Sequence, residues 1–114
     1  ENYDRASQLA PDYPLYYDNR GLAYGNLGEY QLAIEDYDKA IQLDENTARL
    51  YTNRGWAYHN LGEYQRATQD YEKAIQIDPD FARAYTNRGS AYHELGQASR
   101  AQEDWDKARS LGIG

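Results

Sequence analysis

Apolar and small residues in this chain fall into two stripes of helical spacing. Tyr51, Gly55, Tyr58 and Leu61 recur at intervals of four, three and three, which marks one face of a helix running roughly from Ala48 to Leu61. Tyr64, Ala67, Tyr71, Ala74 and Ile75 form the next stripe and predict a second amphipathic helix reaching about Ile77. Gly62 lies between them and suits the left-handed backbone that ends a helix. Asp78-Pro79-Asp80 stops the second helix, because proline cannot continue the hydrogen-bond ladder, and its acids are expected to cap the next helix. So short a turn leaves room only for an antiparallel hairpin.

The same pattern is written three times with a period of 34 residues, over Tyr16 to Asn46, Leu50 to Asp80 and Ala84 to Gly114. Asn2 to Asp12 (NYDRASQLAPD) aligns with the tail of each copy, as in DYDKAIQLDEN at Asp36 to Asn46. The expected organisation is one domain over 1–114. It comprises the second half of a preceding repeat (1–13), then repeats at 14–47, 48–81 and 82–114, with seven helices in all. A fixed period of this size is the mark of a solenoid, in which each unit buries its apolar face only by stacking on a neighbour. The half repeat, together with the absence of Met, reads as a piece cut from a longer array, or as a processed or engineered chain.

Small residues recur at fixed register. Gly21, Gly55 and Gly89 fall on first helices, and Ala33, Ala67 and Ala101 on second helices. A glycine inside a helix costs roughly 1 kcal/mol relative to alanine, so three at one register imply a close contact that excludes a larger side chain. Tyr51, Gly55, Tyr58, Ala67, Tyr71, Ala74 and Pro79 together resemble the pattern of the tetratricopeptide repeat family, over essentially the whole chain. The resemblance implies an all-α, right-handed superhelix of antiparallel helix pairs. First helices would line a concave surface where partners bind as extended peptides or as a helix. The chain departs from the pattern at Arg20, Arg54 and Arg88, where an apolar residue is common before the glycine. It departs again at Glu45 and Ile113, which replace the final proline.

Composition narrows the function. Tyr supplies 13 residues and Phe 1, so the core is expected to be aromatic, with hydroxyls that seek partners at a wet rim. The net charge of −7 argues against nucleic acid, whose binding relies on Lys and Arg to displace phosphate counterions, and against anionic lipid. With no Cys there is no disulfide, thiolate metal site or thiol nucleophile. No targeting segment or long apolar run is visible. A cytoplasmic location is the expectation, with any targeting segments outside this stretch. No nucleophile–base pair, phosphate loop or paired carboxylates stand out, so neither an enzyme nor a cofactor is expected.

The second face of each first helix holds the candidate groove residues: Asn19 and Leu22; Arg49, Thr52, Asn53, Trp56, His59 and Asn60; Arg83, Asn87 and His93. Asn19, Asn53 and Asn87 recur in every repeat. An amide ladder can satisfy a ligand backbone whatever its side chains, or can instead bond neighbouring helices and space the repeats. Trp56, with Leu22 at the equivalent place, reads as an exposed interface anchor. The alternative is a tryptophan packed flat against the next repeat. His59 and His93 are repeat equivalents without an evident third ligand, so they read as rim residues rather than a metal site. If they line the groove, a charge change near pH ~6.5 would make binding pH-sensitive.

Arg20, Arg54 and Arg88 keep company with Asp36, Asp70 and Asp104, and a structural ion-pair ladder is expected. The acidic second helices, these aspartates included, read as a solvated outer face. The chaperone-tail clamp known in this family wants basic and Asn residues where Asp18 and Leu22 stand. Asn53 and Arg83 match it, so the partial pattern argues against chaperone C-terminal carboxylates as ligand. Ala98 and Arg109 replace larger apolar residues of the other copies, while both ends remain open to stacking. The reading is a non-catalytic module that holds a peptide or helical segment in its groove, within a larger scaffold. The alternative is a scaffold that assembles by end-to-end stacking or segment exchange.

Overall fold

The computed structural model describes residues 13–112 and consists of six helices joined by short turns. They are α1 (Pro14–Asn26), α2 (Tyr30–Leu43), α3 (Ala48–Asn60), α4 (Tyr64–Ile77), α5 (Ala82–Glu94) and α6 (Ala98–Ser110). The seventh helix expected over 1–13 lies outside the described residues. No strand occurs among those described.

Each hairpin turn closes in the same way. Gly28, Gly62 and Gly96 take φ near +80°, and the residue after each donates its N–H to a carbonyl five positions back: Glu29 to Tyr24 (2.8 Å), Glu63 to Tyr58 (2.9 Å), Gln97 to Tyr92 (2.8 Å). The left-handed glycine lets these bonds satisfy carbonyls that the helix end would otherwise orphan. Turns between pairs work differently from expectation. Asp44 and Asp78 do not cap the following helix, whose first turn has no side-chain cap. Their carboxylates instead accept from the turn itself: Asp44 from the Thr47 hydroxyl (2.7 Å), and Asp78 from the Asp80 N–H (3.1 Å).

Helices α1/α2, α3/α4 and α5/α6 pack as hairpins, and α2/α3 and α4/α5 join one pair to the next. First helices of successive pairs also touch (α1 with α3, α3 with α5), whereas second helices do not. The row therefore curves toward its first helices. They form the inner face of a right-handed superhelix whose extents are 46 × 25 × 22 Å.

No pair owns its core. Ala33, Ile34 and Tyr37 cluster with Ala57 of the next pair; Tyr17 and Ala40 cluster with Leu50. Likewise Ala67 and Tyr71 meet Ala91, and Ala48, Tyr51 and Ala74 meet Ala84. The repeated glycines explain the hairpin spacing. A methyl built on Gly55 would lie 2.6 Å from the Tyr71 ring, and one on Gly21 would lie 2.8 Å from Tyr37. The buried rings have nowhere to retreat. Not every tyrosine hydroxyl found the expected partner, however. Tyr51 donates to the Glu45 carbonyl (3.3 Å), but the buried Tyr37 hydroxyl has none among the described residues. Ring packing outweighed a hydrogen bond there.

The arginine ladder is present in full. Arg20, Arg54 and Arg88 each grip the aspartate of their own second helix through two bonds, 2.9 and 2.6 Å to Asp36, 2.9 and 2.7 Å to Asp70, and 2.8 Å twice to Asp104. Such forks fix orientation as well as charge. Arg54 also reaches Asp38 of the preceding pair (2.9 Å) and lies over the Tyr51 ring. Asp36, Asp70 and Asp104 are thus buried and do not belong to the solvated outer face, which keeps Glu35, Glu72 and Glu103. Burial pushes the Asp70 carboxyl up despite the opposing Arg54 bonds, while the Asp70 hydrogen bond holds the Arg54 guanidinium more firmly protonated.

Gly55→Ala is expected to destabilise the fold by about 1–2 kcal/mol in urea titration, since overpacking against Tyr71 exceeds the roughly 1 kcal/mol gained in helix propensity. Arg54→Met should cost about 3 kcal/mol, because it strands a buried carboxylate. Adding Asp70→Leu should recover most of that loss, as a double-mutant cycle in urea would show.

Candidate peptide-binding groove

Two adjoining cavities open on the inner face. One, of about 270 Å³, is lined by Leu22 and Asn26 of α1, Asn53 and Trp56 of α3, and Arg83 and Asn87 of α5. The other, of about 230 Å³, lies between α3 and α5, with Trp56, His59, Asn60, Asn87 and Ser90 around it and Tyr71 of α4 also in its lining. Trp56 and Asn87 belong to both. The repeat places equivalent positions of α1, α3 and α5 side by side, so residues from across the sequence share one surface.

A polar chain runs across the three first helices. The Arg49 guanidinium reaches the Asp18 carboxylate through Nε and Nη2, both at 2.9 Å, and Asn53 Nδ2 donates to the same group (3.1 Å). Asn53 Oδ1 in turn accepts from Arg83 Nη2 (2.9 Å). Arg83 also lies over the Phe81 ring. Asp18 is only 6% exposed. An anion with two kinds of donor converging on it is thus supplied by the chain itself.

These bonds decide between the two roles open to the asparagines, and the answer differs by position. Asn53 is 9% exposed and spends its amide on α1 and α5, so it spaces the row. Asn87 lines both cavities, while Asn19 is exposed on α1 outside their lining. Trp56 is not the exposed anchor that was expected. It is half-buried and leans back on the preceding pair. A methyl on Gly25 would meet its ring at 2.6 Å, and it stands edge-on to Tyr30 at 5.6 Å. Glycine at position 25 left that space for it. Leu22, 45% exposed, is the more open apolar residue.

Thr52 does not face the groove. It is fully buried on α3, which has a first helix on either side, and its hydroxyl has no partner among the described residues. Arg49 is exposed but committed to Asp18. His59 packs edge-on against Tyr64 (5.0 Å), and His93 is exposed and tilted over Trp105 (6.0 Å), outside both linings. Among the described residues no cluster of three metal-ligating side chains forms. Asn26, Tyr71 and Ser90 were missing from the expected set. Tyr71 read as core because its stripe is buried, and Ser90 as a plain counterpart of Trp56. Only its small size signalled a gap.

With this geometry in place, comparison with known proteins places the chain in a class. The TPR repeat family pattern matches residues 26–62 and 55–96. The chain therefore belongs to the tetratricopeptide repeat family. Among solved structures it is similar to the second TPR of Spaghetti (RPAP3) bound to HSP90 peptide SRMEEVD, at 31% identity and TM-score 0.84, covering 94% of this chain and 98% of that one. It is also similar to MamA (32% identity, TM-score 0.89, 96% of this chain and 64% of that one). The Arabidopsis OM64 TPR domain matches at 31% identity and TM-score 0.85, covering 87% of this chain and 82% of that one. No helix among the described residues is long and apolar enough to cross a membrane.

Burial raises the proton affinity of the Tyr37 and Tyr71 hydroxyls well above the ordinary value of 10.0. In the unfolded chain these groups ionise near that value, so above about pH 10 the folded state holds more protons than the unfolded one. Stability from this source is complete below about pH 10 and should fall as pH climbs beyond it. Urea midpoints between pH 8 and 11 should show this decline, and the double variant Tyr37→Phe/Tyr71→Phe should flatten it.

Proposed function

We propose that this chain is a non-catalytic interaction module that holds an extended peptide or helical segment along its inner face. One observation carries the reading: two contiguous cavities are built jointly by α1, α3 and α5, with Leu22 and Trp56 as apolar surface and Asn26 and Asn87 as amides beside them. Apolar anchors ringed by polar groups are what segment recognition requires. Support comes from the similar RPAP3 domain, which was solved with a peptide bound.

The preferred segment differs from that peptide in chemistry. Arg49 and Asn53 already hold the Asp18 carboxylate, and a buried intramolecular anion outcompetes a dissolved one. Arg83 remains as the groove's cation. Ligands ending in a carboxylate are accordingly disfavoured, and recognition falls to apolar side chains and backbone amides. Self-assembly by stacking draws less support. A small Ala98 and a charged Arg109 stand at the positions where Tyr64 and Ile75 of the preceding pair contact their neighbour, and give that face less apolar surface for stacking. The module is read as part of a larger scaffold.

Binders selected from a random peptide library should lose at least tenfold in affinity with Leu22→Glu or Asn87→Ala, and be unaffected by Lys73→Ala on the outer face. The peptide SRMEEVD should bind the unmodified chain weakly, and Asp18→Asn should strengthen it. Equal loss from the outer-face variant, or tight SRMEEVD binding by the unmodified chain, would overturn the corresponding part of the reading.

A further inference from the structure

The three pairs are copies, so one interface can be used as a template for the next. Leu22, Trp56 and Ser90 occupy one register; so do Gly25, His59 and His93, and so do Tyr37, Tyr71 and Trp105. At the first interface the Trp56 indole reaches back from α3 onto Gly25 of α1 and against Tyr30 of α2, and fills the slot. At the second interface the residue that would reach back from α5 is Ser90. Its hydroxyl turns to the Thr86 carbonyl of its own helix (3.3 Å). The cavity of about 230 Å³ lies in front of it, and Trp56, His59 and Tyr71 give it three ring-bearing walls. His59 leans on Tyr64 (5.0 Å), much as Trp56 leans on Tyr30, and so takes up part of the slot without closing it.

We propose that this cavity receives one aromatic side chain, tryptophan or tyrosine, from the bound segment, in the place that Trp56 fills from within at the preceding interface. The assignment rests on the groove reading and deepens it by naming the ligand's anchor. Size supports it, since the cavity is smaller than the roughly 300 Å³ or more of pockets that enclose drug-sized molecules, and suits a single side chain. Lining supports it too. Rings prefer edge or offset contacts with other rings, and a tryptophan N–H or tyrosine hydroxyl wants a polar neighbour. Asn87 and Ser90 stand at the wall to provide one. A short aliphatic side chain would meet the same polar groups without satisfying them.

Random peptides displayed on phage and selected on the unmodified chain test this. The selected sequences are expected to share an aromatic residue at one position, and its replacement by alanine should weaken binding at least tenfold. The double variant His59→Gly/Ser90→Trp copies the filled interface and should lose that aromatic preference while melting at no lower temperature. Should that variant fail to fold, nuclear Overhauser contacts between the peptide ring and His59 and Ser90 of the unmodified chain locate the ring directly. Binders with no shared aromatic, or a ring that contacts Leu22 and Arg83 instead, overturn the pocket assignment and leave the groove reading standing. A library that yields no binders overturns both.

Discussion

An aromatic ring pressed against a glycine of the facing helix sets the geometry on which the rest of this molecule depends. Tyr37 covers Gly21, Tyr71 covers Gly55 and Trp105 covers Gly89. The contact draws each hairpin together so closely that its alanines, Ala33, Ala67 and Ala101, become fully buried. A helix pair this thin cannot enclose its own apolar surface. It must share its aromatic and aliphatic residues with the next pair, and every core cluster accordingly spans two pairs.

Charge is arranged to lock this stack. Each arginine before the helical glycine forks onto a buried aspartate of its own pair, while its guanidinium lies over neighbouring tyrosine rings, as Arg54 does over Tyr51 and Arg88 over Tyr85 and Tyr92. Solvent would make such pairs weak on a surface. Here the aspartates are buried, so a missing partner is costly. A second network, Arg49 to Asp18 to Asn53 to Arg83, ties α1, α3 and α5 and shapes the inner face at the same time. It occupies the Arg49 and Asn53 donors on the Asp18 carboxylate, and leaves Arg83 beside the amides and rings that line the cavities.

The helix boundaries, the turn glycines and the ion-pair ladder were legible in the sequence because each follows from local spacing or from the hairpin register. So was the sharing of one helix face by Leu22, Asn53, Trp56 and Arg83, which line one cavity. The roles within that set were less accessible. Thr52 has the same polarity as an exposed neighbour, yet lies buried because α3 is flanked on both sides. Ser90 matters through what it fails to fill, which no pattern of residue types displays.

The sequence alone determined helices from stripes at helical spacing, antiparallel hairpins from turns too short for any other connection, and stacking of neighbours from the 34-residue period. Tertiary structure decided which asparagine is spent on its neighbours, where the carboxylate of Asp18 comes to rest, and that a cavity lies between α3 and α5. Those outcomes depend on which side chains of different repeats face one another: the Trp56 ring closes on Gly25 at one interface, whereas His59 and Ser90 line a cavity at the next.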